Sequence, residues 1–292
     1  MFDPAWPRSR VYLPALLSGV LQYLCYFPAN FGWLGWVALV PLLSLVQANA
    51  RPSRLYFAAF LGGLALYVPA LQWIRVAHPA MYGSWLALAV ACSLVQIATV
   101  WFARRCVRVG LPLWLAAPVA WVASDYLRAH FPVGYPWLEP LGWRTPCGFG
   151  WYFLGYTQHD FPALCQSADL TGVYGLTFLL VLVNAVLTTL VGETSLGKVL
   201  LRRPEVPRCY ARFGQGLAFG LFLLTLGYGI LRLQHEPFAA GPNVALVQGN
   251  IPQDVKTDRG REMEEHFAKL SDEAIRPPEG TPRPDLIIWP ET

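Results

Sequence analysis

Residues 172–191, GVYGLTFLLVLVNAVLTTLV, decide the fold class of this chain, because none of these twenty side chains is charged. A helix of about 20 mostly apolar residues is long enough to cross the hydrocarbon core of a bilayer. Six other segments have a similar character, which predicts an α-helical membrane domain of about seven transmembrane helices. The six segments are residues 11–27, 33–48, 55–74, 81–102, 111–127 and 213–231.

The composition of the whole chain favours the same fold class. Of 292 residues, 55% are hydrophobic and only 14% are charged, whereas soluble domains carry about 25% charged residues. The weakest segment is residues 33–48, which is short and contains Pro41. We therefore keep open the alternative that one or two of the seven segments are buried or re-entrant. The net charge of +4 is small, and no basic stripe is present, so nucleic acid is not an expected partner.

The basic residues of the loops predict the orientation of the chain. With seven crossings, one side of the membrane carries twelve Lys and Arg residues and the other carries three. Basic residues in short loops favour the cytoplasmic side, so the N-terminus is predicted to be cytoplasmic and the segment after the last span periplasmic. The larger group is Arg8, Arg10, Arg51, Arg54, Arg104, Arg105, Arg108, Lys198, Arg202, Arg203, Arg208 and Arg212, and the smaller group is Arg75, Arg128 and Arg144.

The long outer loop, about residues 128–171, is rich in aromatic residues, among them Trp151, Tyr152 and Tyr156. Such a loop is either an ordinary aromatic belt at the membrane surface or the wall of an entrance for lipid. Two polar residues lie in the neighbouring spans. We expect Asn184 to form a hydrogen bond between helices and Asp125 to reach interfacial water.

Six cysteines are present, but none forms a CxxC pair or has the spacing of a zinc site. Cys147 and Cys165 share the outer loop, and whether they form a disulfide stays open. His159 and Asp160 are adjacent in sequence but lack a third ligand. We therefore expect no metal and no cofactor.

The composition changes after residue 235. Residues 244–247 (VALV) predict a short strand, residues 261–275 an amphipathic helix and residues 286–289 (LIIW) a second strand. Strand, helix and strand in this order predict a βαβ unit with a parallel pair. The sequence thus divides into a transmembrane domain, residues 1–235, and the start of an α/β domain, residues 243–292.

Glu291 follows the second predicted strand, at the edge of the sheet where active sites of α/β folds collect. A carboxylate there is either a general base or an ordinary acid at a strand end.

Several stretches resemble the apolipoprotein N-acyltransferases. VALVQGNIPQ at 244–253 and LIIWPET at 286–292 are similar to the opening of the nitrilase-like domain of that family. GFGWYFLGYTQ at 148–158 is similar to its loop before the sixth span, and GVYGLTF at 172–178 to the start of that span. These bacterial inner-membrane enzymes transfer an acyl chain from a phospholipid to the N-terminal cysteine of a diacylated lipoprotein.

The resemblance implies a site and its partners. In the family a Glu, a Lys and a Cys form the catalytic triad, and Glu291 matches the Glu, which activates the Cys to form a thioester with the acyl group. The partners implied are a phospholipid acyl donor, a lipoprotein acceptor and membrane lipids. Trp151 matches a tryptophan of the family's aromatic loop, and Tyr156 and Gln158 are weaker candidates for lipid contact. For all three, the role of an interfacial anchor is an equal alternative.

The sequence departs from the family pattern at its end. It stops one residue after Glu291, so the Lys, the Cys and the final span of the family have no match. Cys209 lies on the predicted cytoplasmic side and cannot replace the missing nucleophile. We therefore expect a C-terminally truncated chain that is inactive alone.

Two other functions are alternatives for this sequence. The first is a non-catalytic membrane scaffold or partner of a polyprenol-lipid glycosyl-transfer enzyme. The second, a transporter, is disfavoured because the spans show no paired buried charges and no inverted repeat.

Overall fold

The computed structural model describes residues 8–78, 80–130, 148–194, 208–234, 239–250, 260–278 and 280–290. The described part of the chain is mostly α-helical and contains a small parallel sheet of two strands. Contacts between Cα atoms divide the chain into two units, Met1–His235 and Glu236–Thr292.

The regular elements described in the first unit are all helical. Its α-helices are α1 (Ser9–Leu24), α2 (Val40–Val46), α3 (Pro52–Ala70), α4 (Ile74–Ala77), α5 (Met81–Arg108), α6 (Leu113–His130), α7 (Pro162–Cys165), α8 (Ala168–Glu193) and α9 (Arg208–Gln234). The described residues of this unit also form two 3₁₀ turns, Gly32–Trp36 and Leu154–Gln158.

Four of the described helices are long and apolar enough to cross a membrane: Pro52–Ala70, Met81–Arg108, Ala168–Glu193 and Ala211–Gln234. They coincide with four of the seven predicted segments. Helix α1 has 16 residues and α6 has 18, and they occupy two more of the predicted segments without meeting the same criteria. The described residues thus contain four helices suited to crossing a membrane, and seven spans stay a prediction.

Residues 33–48 do not form one continuous helix. A 3₁₀ turn ends at Trp36, α2 begins at Val40, and Pro41 lies in the first turn of α2, where its missing N–H costs no hydrogen bond. Irregular backbone at membrane depth is tolerated only where its polar groups find partners inside the protein. The segment is therefore a broken, buried element, which was the alternative left open from the sequence.

Side chains of α1 and α8 supply the partners at this break. The Asn184 side chain accepts a hydrogen bond from Leu39 N at 2.9 Å and donates one to Gly35 O at 2.9 Å. Ser18 Oγ donates to Ala38 O at 2.6 Å. The expected bond from Asn184 to another element is present, but its partner is main chain rather than a second side chain.

Arg104 has a structural role that loop counting did not anticipate. It is buried in α5, and its Nη1 donates to the carbonyl oxygens of Leu45, Val46 and Ala48 at 2.7, 2.8 and 3.2 Å. These are carbonyls at the end of α2, which have no partner within the helix. Arg104 thus caps α2 and is not a loop charge. Arg128, on the other predicted side, is not a loop charge either, so the excess of basic loop residues on the predicted cytoplasmic side remains.

The second unit contains β1 (Val244–Leu246), α10 (Gly260–Ile275) and β2 (Leu286–Ile288). The strands pair in parallel, with Val244 opposite Leu286 and Leu246 opposite Ile288, as predicted. The ring of Trp289 stacks on Phe267 of α10 at 5.4 Å, and its Nε1 donates to Ser271 Oγ at 2.8 Å. The amphipathic helix therefore packs against the end of β2.

Candidate functional site

The aromatic loop, residues 148–158, is held by the ends of the neighbouring helices. The Tyr152 hydroxyl donates to Ala70 O at 2.5 Å and accepts from Trp73 Nε1 at 3.2 Å, while Tyr26 donates to Tyr152 O at 3.1 Å. Tyr152 has a φ of 59°, a conformation that is strained for a bulky side chain. These contacts supply the interactions that keep the backbone in that conformation.

Burial raises the pKa of the Tyr152 hydroxyl. It therefore stays protonated at neutral pH and remains a donor to Ala70 O.

Arg128 and Asp125 form a buried ion pair beneath this loop. Arg128 Nη2 donates to Asp125 Oδ1 at 3.0 Å, and the two residues are only 7% and 6% exposed. The expectation that Asp125 reaches interfacial water is therefore wrong, and so is the expectation that the spans hold no paired buried charges. Both errors have one cause: α6 extends to His130, and the aromatic loop covers its last turns, which hydropathy alone does not reveal.

The other side of the Arg128 guanidinium holds the loop itself. Arg128 Nη1 donates to Trp151 O at 2.6 Å and to Phe149 O at 3.2 Å. The guanidinium lies over the rings of Phe153 and Phe149, 4.9 and 5.7 Å from their centroids. Hydrogen bonds from an ionised donor are stronger than neutral ones, so one arginine fixes the main chain on both sides of Gly150.

Trp151 and Tyr156 lie together on a cavity of about 560 Å³. Trp151 is 62% exposed and Tyr156 is 46% exposed. The cavity is also lined by Tyr26 and Trp73, and the rings of Trp73 and Trp151 are 6.3 Å apart. Walls of apolar rings with polar edges are suited to the boundary between lipid tails and headgroups.

Gln158 lies elsewhere. It is completely buried, its Oε1 accepts from Trp36 Nε1 at 2.9 Å, and its Nε2 donates to Gly32 O at 2.8 Å. It borders a different cavity of about 720 Å³, whose wall includes Phe222 of α9. The structure therefore brings two of the three loop candidates together and shows Gln158 joining the two 3₁₀ turns. A lipid contact of Gln158 stays a prediction.

Arg128 and Tyr152 are the residues at this site that sequence reasoning missed. The spacing of Asp125 and Arg128, three residues apart at the end of the predicted segment 111–127, is a usable signal for an ion pair. Arg128 was instead counted as a loop charge. For Tyr152 no sequence signal exists, because its backbone conformation and its partners arise from tertiary contacts.

Glu291 and Cys147 lie outside the described residues. Cys165 Sγ donates to Gln158 O at 3.1 Å, and burial raises the pKa of this thiol. Pairing of Cys147 with Cys165 therefore stays open. Within the described ranges, no three His, Cys, Asp or Glu residues are grouped as metal ligands.

The family model for the apolipoprotein N-acyltransferase N-terminal domain matches residues 18–186, which is more than half of the chain. The chain belongs to this family. The matched range includes the aromatic loop, the buried pair Asp125 and Arg128, and the broken segment between α1 and α3.

Relatives support this membership over a longer range. An apolipoprotein N-acyltransferase of Geobacter metallireducens is 34% identical over all of this chain and 52% of its own length. One from Rhodopirellula baltica is 29% identical over 94% of this chain and 46% of its own length. One from Brucella melitensis is 31% identical over 98% of this chain and 52% of its own length. The chain thus spans about half the length of the curated relatives it matches.

Proposed function

We propose that this chain is the membrane portion and the beginning of the catalytic domain of an apolipoprotein N-acyltransferase. The observation that carries the proposal is the family match over residues 18–186, together with relatives of that name aligned over the whole chain. The substrates that follow are a phospholipid acyl donor and the N-terminal cysteine of a diacylated lipoprotein. Residues 243–292 would be the first part of a nitrilase-like domain, which the parallel pair of β1 and β2 supports.

The proposed chemistry proceeds through a thioester. The Glu291 carboxylate accepts the proton of a cysteine thiol, and the thiolate attacks an ester carbonyl of the phospholipid. A lysine stabilises the oxyanion, the bond to glycerol breaks, and the released alkoxide takes up the proton as the lysophospholipid leaves. The lipoprotein amine then attacks the thioester and regenerates the thiol. The lysine and the cysteine have no match within residues 1–292 and would come from the other half of such an enzyme.

The aromatic loop supplies the lipid contacts in this proposal. Trp151 and Tyr156 share one cavity and are both accessible, which supports contact with the phospholipid near its headgroup. Gln158 is retained as a weaker candidate that borders the neighbouring cavity. Loop charge supports a cytoplasmic N-terminus and a periplasmic C-terminal unit, and membership of the family supports an inner-membrane location.

Glu291→Gln tests the role of the proposed base. The protein to use is a chimera of residues 1–292 with the portion of the Geobacter metallireducens relative that extends beyond its match. Mass spectrometry measures N-acylation of a diacylated lipopeptide in phospholipid vesicles. Because general bases contribute about 10²-fold to 10⁴-fold, we expect Glu291→Gln to lower the rate by at least about 10²-fold.

The matched control is Glu273→Gln, which removes an exposed carboxylate from α10 and is expected to leave the rate unchanged. A near-normal rate for Glu291→Gln would remove Glu291 from the mechanism. An inactive chimera beside an active relative would favour the non-catalytic scaffold.

A further inference from the structure

We propose that Arg128 is a positioning residue that sets the location of the Trp151 ring. The proposal rests on the proposed function, in which Trp151 contacts the phospholipid. Its physical basis is that one buried guanidinium binds Asp125 on one side and the carbonyl oxygens of Phe149 and Trp151 on the other.

The guanidinium is suited to this task by its shape. Its Nη2 is committed to Asp125 Oδ1, which leaves Nη1 directed at the two loop carbonyls. Asp125 Oδ2 has no hydrogen-bond partner among the described residues, so the aspartate holds Arg128 through one oxygen. A planar guanidinium can donate hydrogen bonds in both directions at once, whereas the ammonium group of lysine sits on a flexible chain and has no such fixed geometry.

The surroundings of Arg128 prevent water from replacing these bonds. The residue is 7% exposed, and the rings of Phe149 and Phe153 lie beside its guanidinium. If the guanidinium is removed, the carbonyl of Trp151 therefore loses its hydrogen-bond donor, and water cannot easily replace it.

Trp151 depends on its main chain for its position. Its side chain is 62% exposed and has Trp73, 6.3 Å away, as its aromatic neighbour. The residue that follows is Tyr152, with its φ of 59°, so a small change in the loop backbone would redirect the Trp151 ring. The bond from Arg128 to Trp151 O, at 2.6 Å, is the direct hold on that backbone.

Fluorine NMR of the chain in detergent micelles tests the inference without any assay of activity. The protein is labelled with 5-fluorotryptophan, and Trp151→Phe and Trp114→Phe assign two resonances. In Arg128→Lys we expect the Trp151 resonance to shift or broaden. The Trp114 resonance is the internal control. Trp114 lies fourteen residues before Arg128 in α6, about 21 Å along the helix, so its resonance should not change.

An unchanged Trp151 resonance in Arg128→Lys would overturn the proposal, and so would equal changes at Trp151 and Trp114. A second variant covers the case in which the charge change disturbs folding. Asp125→Asn with Arg128→Gln removes both charges; asparagine matches aspartate in size, whereas glutamine is shorter than arginine and lacks the guanidinium. If this variant unfolds cooperatively yet leaves the Trp151 resonance in place, the proposal fails as well.

Kinetics of the chimera separate this inference from the proposed function. Arg128→Lys is expected to raise the KM for phospholipid by up to about tenfold, because weakening a charged hydrogen bond that holds the loop lowers the fraction of chains whose loop is in the binding position. We expect kcat to change less than about twofold. Trp151→Ala should give the same pattern. If Trp151→Ala leaves KM unchanged, the lipid contact is wrong, and the NMR result alone then decides whether Arg128 positions the loop. If KM rises for Trp151→Ala but not for Arg128→Lys, the positioning role is wrong.

Discussion

Asn184 shows how one polar residue makes an irregular membrane segment possible. Its amide bonds both Leu39 N and Gly35 O, the main-chain groups that lack helical partners at the break between the Gly32–Trp36 turn and α2. Asn184 is completely buried, so no solvent can take over these bonds. The segment can therefore stay irregular inside the membrane domain without exposing polar backbone to lipid.

Asn184→Leu should destabilise the protein strongly. Leucine is similar in size but leaves Leu39 N–H and Gly35 C=O buried without their partner, at about 1–3 kcal/mol each. We expect the free energy of unfolding in detergent to fall by about 2–4 kcal/mol, measured by thermal or denaturant unfolding followed by circular dichroism.

Thr189→Val is the matched control for Asn184→Leu on the same helix. The Thr189 hydroxyl donates to Ala185 O within α8 at 3.0 Å, so its loss should cost less than about 1 kcal/mol. Equal losses for the two variants would contradict the role of Asn184 at the break.

Residue-scale chemistry was predictable only in part. That Asn184 would bond to another element follows from its polarity in an apolar span. Its partners do not, because the break at residues 37–39 becomes visible only when α1 and α8 pack around it. The same holds for Arg128, whose partners lie more than twenty residues away in the aromatic loop.

The helices pack closely where small residues face each other. A methyl group at Gly19 of α1 would collide with Gly62 O of α3, and one at Gly62 would lie 2.6 Å from Ala15 O. At Gly63 the neighbour is Ser93 of α5. Small residues at such crossings let helix backbones approach and gain van der Waals contact, which is the main source of helix association in lipid.

Gly62→Ala should therefore destabilise the contact between α1 and α3. The added methyl group meets main chain on the facing helix, which cannot move aside as a side chain can. We expect the midpoint of thermal unfolding in detergent to decrease.

The control for Gly62→Ala is Gly220→Ala in α9, where a methyl group would meet nothing within 4 Å. Alanine is favoured over glycine in a helix by up to about 1 kcal/mol, so the midpoint should stay the same or rise. A drop of similar size in both variants would mean that the loss at Gly62 does not come from close packing against α1.

At the scale of elements, hydropathy located the long helices well. For α3, α5, α8 and α9, the majority of the helix ends lie within a few residues of the predicted ones, because apolar composition over about 20 residues is a strong signal. Local chemistry also explains where one helix ends. Helix α5 ends at Arg108, and Gly110 follows with a φ of 100°, which glycine adopts at little cost. Hydropathy could not separate a continuous span from the broken segment at residues 33–48, since both are equally apolar.

At the scale of the whole molecule, the chain combines a helical unit that contains four helices suited to a membrane with a second unit of α and β structure. The amphipathic α10, the parallel pair of β1 and β2 and the charged residues around them differ sharply from the apolar helices of the first unit. This change of character was visible in composition alone. Composition does not show where Glu291 lies, and its location follows only from the proposed acyl transfer.

Acyl transfer to a lipoprotein requires the unit that carries Glu291 to lie outside the cytoplasm. Cysteine labelling in intact cells tests this claim directly. In a variant whose native cysteines are replaced by alanine, Gly241→Cys reports on the start of the second unit and Ser53→Cys on the first turn of α3; both positions are exposed. We predict that a membrane-impermeant maleimide labels Gly241→Cys in intact cells and reaches Ser53→Cys only after the inner membrane is permeabilised. Labelling of both positions, or of Ser53→Cys alone, in intact cells would contradict the account.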